Sequence, residues 1–180
     1  MVAYVILPGI DGSDDRHWQT LWEQEWGAAA VRISPASWSD PELDDWVGAV
    51  QEAYDEASRR DDSVVLVAHS LGCWAASSWL IPSTPVAGAF LVAPPDPRGP
   101  EFPRSRLTTF THLTPQPLPC PAMVVGSPDD PYCTPEAAGA FAAGWNATLH
   151  LTAPHGHLNS NSGLGPWQQG RELLDSLTGR

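Results

Sequence analysis

Lysine is absent from this 180-residue chain: all nine basic residues are Arg, against 21 Asp and Glu, and the formal net charge is -12. A surface so acidic has nothing with which to track a phosphate backbone, so nucleic acid is excluded as an expected partner. We read the missing lysine as a compositional mark of a GC-rich bacterial genome. Cysteine is scarce as well. Cys73, Cys120 and Cys133 are an odd number without metal-ligand spacing, which points to reduced thiols rather than a disulfide framework or a metal centre. No apolar run is long enough to span a bilayer, and the stretch Val2 to Leu7 is too short and lacks the basic leader of a signal peptide. The expectation is a cytoplasmic protein that neither enters membranes nor binds nucleic acid, with no protein partner indicated.

With 42% hydrophobic residues the chain is long enough to bury one good core, and residues 1–180 read as a single domain. Short β-branched or apolar runs recur at 3–7, 29–33, 64–68, 86–92, 122–126 and 148–152, with helical patterns between them. That alternation predicts an α/β fold with a mostly parallel sheet of about six strands. Trp18, Leu21, Trp22 and Trp26 repeat at helical spacing, and Leu43, Trp46, Val47, Val50, Tyr54 and Ala57 form a longer stripe. Asp40 and Pro41 are placed to start that second helix, Thr134 and Pro135 to start another, and Pro166 to open the last. The segment from Pro94 to Pro121 breaks the rhythm, carrying nine of the 19 prolines. A connection of that length inside a compact domain shapes a site more often than it idles. Proline stiffness suits a fixed rim more than a swinging lid.

The run Val64 to Ala68 leads straight into His69-Ser70-Leu71-Gly72 and then a helical stretch. A Ser at a sharp strand-to-helix turn needs small residues two places to either side, and Ala68 and Gly72 supply them. The N-terminus of the following helix would stabilise an oxyanion formed beside Ser70, with the Leu71 N–H as one donor. Such a Ser needs a base, and the base an orienting acid. The 122–126 strand is followed by Ser127-Pro128-Asp129-Asp130-Pro131, and the 148–152 strand by Pro154-His155-Gly156-His157. Each candidate falls past the carboxyl end of a strand, where open α/β sheets build their sites, in the order Ser, Asp, His. Spacing alone leaves Asp129 and Asp130 both open. It favours His157 over His155, because Pro154 restrains the latter. His69 reads as a hydrogen-bonded neighbour, since adjacent residues in a sharp turn point apart. After the first strand, Pro8-Gly9-Ile10-Asp11-Gly12 offers the second oxyanion donor, from Ile10 or Asp11, and Ile10, Asp11 and Trp38 are expected at the substrate pocket.

These elements, together with His17-Trp18-Gln19, Pro131-Tyr132-Cys133, Leu158-Asn159, Ser162-Gly163 and Gly165-Pro166-Trp167, resemble the retinoblastoma-binding-protein-nine, or YdeN-like, family of small serine hydrolases over nearly the whole chain. The resemblance implies a three-layer α/β/α sandwich, a minimal α/β-hydrolase fold without a large cap. It places the nucleophile on Ser70, the acid on Asp130 and the base on His157. It further implies esterase-like cleavage of a small acyl substrate with no cofactor or metal. The alternatives are a non-catalytic protein-binding module on the same scaffold, or acyl transfer to an acceptor other than water.

Overall fold

The computed structural model describes residues 1–81 and 86–179. Six strands, β1 (Ala3–Leu7), β2 (Ala30–Arg32), β3 (Val64–His69), β4 (Gly88–Val92), β5 (Ala122–Gly126) and β6 (Thr148–Leu151), form one sheet in the order β2-β1-β3-β4-β5-β6. Every neighbouring pair is parallel. Parallel strands are covered on both faces, which is why β1, β3 and β4 are wholly buried and read as unbroken apolar runs.

Alternate strand residues face opposite layers. Val5, Leu7, Leu66, Ala68 and Leu91 join a core with α2 (Leu43–Ser58), α3 (Leu71–Leu80) and α4 (Pro135–Trp145). Tyr4, Ile6, Val65, Val67 and Phe90 face α1 (Trp18–Trp26) and α5 (Gln168–Thr178). The result is the expected three-layer arrangement. Tryptophans supply both layers: Trp18 and Trp22 on one side, Trp46, Trp74 and Trp145 on the other, all fully buried. Truncating any one to Ala costs about 3–5 kcal/mol by the usual scale for such sites. No helix among the described residues is long and apolar enough to cross a membrane.

Two helix starts differ from the sequence expectation. The second helix begins at Leu43, not at Pro41, because its first N–H donates to the Thr109 hydroxyl of the proline-rich segment, 66 residues away, instead of to Asp40. The last begins at Gln168, after Trp167 has turned into the left-handed region (φ 43°) to bury its ring against Trp18 and Trp22. Thr134 caps α4 as expected, accepting from the Ala137 N–H.

The segment from Pro94 to Pro121 is anchored along its length. Phe102, Leu107 and Phe110 are buried in the α2–α4 layer. Trp74 Nε1 donates to the Pro95 carbonyl, and Leu118 N to that of Trp145. It is a fixed rim at the carboxyl end of the sheet.

Candidate active site

Ser70 sits between β3 and α3 with φ 53° and ψ -125°, a conformation a non-glycine residue holds only when its surroundings enforce it. Its N–H donates to the Val92 carbonyl of the neighbouring strand. The turn brings α3 hard against β1. A Cβ on Gly72 would lie 2.7 Å from the Pro8 carbonyl oxygen and closer still to that of Leu7, and one on Gly9 would lie 2.8 Å from Ser70 Cβ. Only glycine fits at those two places.

The loops after β5 and β6 bring Asp130 and His157 to Ser70. His157 Nε2 lies 2.8 Å from Ser70 Oγ, and its Nδ1 lies 3.0 and 2.9 Å from the two Asp130 oxygens. The Asp130 side chain is 1% exposed and accepts a further bond from the Tyr132 N–H. Of the two neighbouring carboxylates, Asp130 is the one that contacts His157. Asp129 reaches back to the base loop: its Oδ1 accepts from Ser127 Oγ and from the Gly156 N–H, and Ser127 Oγ accepts from the His155 N–H. Those bonds, Ser127 first, hold the Asp129 carboxyl below its ordinary range. His155 belongs to this clasp and not to Ser70.

Beside Ser70 the turn after β1 presents backbone donors. Asp11, at φ 64°, spends its N–H on the Trp38 carbonyl. Ile10, from this turn, and Leu71, at the start of α3, both line the cavity beside Ser70. Asp11 still borders the cavity, its carboxylate 3.2 Å from Arg106 of the rim. Trp38 does not. It packs edge-on against Trp46 behind the turn and is held there by its own carbonyl. A cavity of about 480 Å³ lies over Ser70, reaching from His17 and Asn159–Asn161 on one side to Phe102 and Leu107 on the other.

Residues 4–176 match the family model for serine hydrolases. The chain belongs to that family. Among solved structures, the hydrolase is similar to a YdeN-like protein from Pectobacterium atrosepticum, with 29% identity over 99% of this chain and 91% of the other and a TM-score of 0.85. The ydeN gene product of Bacillus subtilis shares 21% identity over 99% of both chains (TM-score 0.79). Est1E of Butyrivibrio proteoclasticus, solved with ferulic acid, shares 12% over 99% of this chain and 87% of the other (TM-score 0.72). The last two likenesses are of fold alone. Comparison with curated proteins gives no match. The YdeN-like resemblance and the minimal α/β-hydrolase fold expected from the sequence are thus borne out.

Of three polar side chains that build this hydrolase's site, sequence reasoning gave no role to Gln19 and His17 and anticipated His69 as a hydrogen-bonded neighbour without its partner. Gln19, fully buried, donates from Nε2 to the carbonyls of Leu7 and Val67, tying together β1 and β3, which carry the Gly9–Gly12 turn and Ser70. His69 Nε2 donates to the His157 carbonyl at 2.9 Å, fixing the backbone of the residue that faces Ser70. His17 packs edge-on against the His69 ring, with 4.7 Å between centroids, and caps α1 by accepting the Gln19 N–H at Nδ1. The available signal was a His and a Gln flanking Trp18 inside an otherwise apolar stripe.

Burial pushes the His17 pKa down to about 4, with the Asp14 carboxylate only partly opposing it, and burial drives His69 in the same direction. The folded chain therefore excludes protons that the unfolded chain takes up below its ordinary value of about 6.5. The stabilisation from a neutral His17 is complete above that pH and is lost as pH falls toward 4, by on the order of 3 kcal/mol. His17→Asn keeps an acceptor for the Gln19 N–H and removes the imidazole. Urea midpoints at pH 7 and 4.5 should fall less for this variant than for the natural chain; equal losses would show that His17 does not carry the acid limb.

Proposed function

We propose that this serine hydrolase cleaves the ester, thioester or amide bond of a small acyl substrate through a covalent acyl-enzyme, with Ser70 as nucleophile, His157 as general base and acid, and Asp130 as its orienting partner. The supporting observation is the unbroken hydrogen-bond chain from Ser70 Oγ through both nitrogens of His157 to the buried Asp130 carboxylate, beside two backbone donors. Asp130 holds the proton of neutral His157 on Nδ1, which leaves Nε2 free to accept. Nε2 takes the Ser70 proton as Oγ attacks the carbonyl carbon. The charge formed on the carbonyl oxygen falls to the N–H groups of Ile10 and Leu71. Collapse breaks the bond to the leaving group, which receives the proton from Nε2. Water, deprotonated by His157, then attacks the acyl carbon, and Ser70 Oγ recovers its proton as the acid departs. The chemistry calls for no cofactor.

A fluorophosphonate probe tests this directly. It should modify Ser70 alone, and Ser70→Ala should abolish labelling with the circular dichroism spectrum unchanged. Undiminished labelling of that variant would overturn the assignment. A panel of esters, thioesters and aminoacyl amides then ranks the bond types by kcat/KM.

A further inference from the structure

The cavity over Ser70 is chemically two-sided, and the two sides belong to opposite faces of the sheet. On one side stand Pro95, Phe102, Pro103 and Leu107 of the rim. Phe102 and Leu107 share their core with Leu71, whose N–H borders the oxyanion position. The rim's charged residues at the cavity, Glu101 and Arg106, are both exposed, and Arg106 is engaged with Asp11 and the Ser39 carbonyl. On the other side stand Asp14, His17, Asn159, Ser160 and Asn161, all polar, with the Tyr132 ring packed edge-on against His157 as the aromatic neighbour of the base.

This polar side is built. Ser160 Oγ donates to Asp14 at 2.6 Å, and Asn159 caps the short turn Ser160–Ser162 by accepting the Asn161 N–H. Behind it, His17 Nε2 is buried and meets no acceptor among the described residues. Because Nδ1 accepts from Gln19, the neutral ring carries its proton on Nε2. A buried donor left in this state is costly unless a ligand or water meets it.

The two sides are distinguished by the base. Asn159–Asn161 follow His157 after a single residue, the buried Leu158, and His17 reaches His157 through the His69 ring, at 4.7 and 5.0 Å between successive centroids. In an acyl transfer the imidazole that accepted the nucleophile's proton hands it to the departing atom, so the leaving group lies on the base's side of the scissile bond. Resting on the catalytic reading above, we infer that the hydrolase takes an apolar acyl group joined to a polar, hydroxyl- or amide-bearing leaving group. The acyl group lies against Phe102, Pro103 and Leu107, where its burial is favourable. The leaving group lies against Asp14, His17 and Asn159–Asn161, whose amides and carboxylate an alkyl group would strip of water without replacing it.

Three butyrate-sized esters decide the matter: the 1-glyceryl ester of butyrate, n-pentyl butyrate, whose leaving group has the same number of heavy atoms, and pentyl 2,3-dihydroxybutyrate, which moves the two hydroxyls to the acyl side. Each kcat/KM is divided by the rate of alkaline hydrolysis to remove intrinsic reactivity. The glyceryl ester should exceed pentyl butyrate by about tenfold or more, with the dihydroxybutyrate poorest. Asn161→Leu, which keeps the backbone of the turn and makes the wall apolar, should reduce that ratio several-fold, lowering kcat/KM for the glyceryl ester and raising it for pentyl butyrate. Equal or reversed preference in an enzyme whose Ser70 reacts with fluorophosphonate overturns the leaving-group inference and leaves the catalytic reading standing. So does labelled enzyme that leaves all three esters intact. Absence of Ser70 labelling, by contrast, brings down the catalytic reading and this inference with it.

Discussion

Asp130→Asn is expected to lower kcat by about 10⁴-fold with the fold intact. The Asn amide can donate to Nδ1 of His157, which then becomes the acceptor, and the ring proton moves to Nε2, facing Ser70 Oγ with no lone pair to offer. The Asp130 side chain is 1% exposed, so water cannot substitute for the lost carboxylate. Asp129→Asn is the control. That residue is exposed and acts on backbone, through Ser127 and Gly156, so its loss loosens the base loop and should cost no more than about tenfold. Steady-state kcat on an activated ester, with fluorophosphonate labelling rates alongside, separates the two. A reversed order of severity would mean that Asp129 and not Asp130 orients the imidazole.

Gly72→Val should prevent accumulation of folded protein, or lower stability by about 3 kcal/mol or more. The clash is between backbones: the new Cβ meets the carbonyls of Leu7 and Pro8. Leu7 is paired with Ala68 in the β1–β3 ladder, and Pro8 begins the turn that carries Ile10. Relief would therefore require the centre of the sheet and the oxyanion turn to shift together. Gly48→Ala makes the contrast, since an added Cβ there meets nothing within 4 Å inside α2 and should stabilise the helix by about 0.5–1 kcal/mol. Thermal unfolding of both variants checks the pair, and a normal melting temperature for Gly72→Val would show that α3 does not approach β1 as described.

The sheet was legible because parallel strands buried on both faces leave unbroken apolar runs, and Ser70 because the steric demand of its turn is written two residues to either side. Strand ends pointed to His157 and to the pair Asp129–Asp130, and the family resemblance to Asp130 within that pair. What escaped were partners distant in the chain. Trp38 looked like a pocket wall, but its carbonyl takes the Asp11 N–H and its ring is drawn back to Trp46. Gln19 meets Val67 across 48 residues and His69 meets the His157 carbonyl across 88, and no local pattern encodes either. The start of α2 was misplaced for the same reason, its cap being Thr109.

That cap bears on how this scaffold can diverge. The segment that lines the cavity with Phe102 and Leu107 also caps the start of the 16-residue α2, and buries Phe110 against Trp46 of that helix. A rim transplanted from a relative would give the Leu43 N–H to water in place of Thr109 and leave α2 short of a packing partner, a penalty of about 1 kcal/mol for the cap before any cavity is counted. Substrate range in this hydrolase is therefore inherited together with the anchoring of α2, and drift in the rim is confined to the exposed positions between its buried anchors.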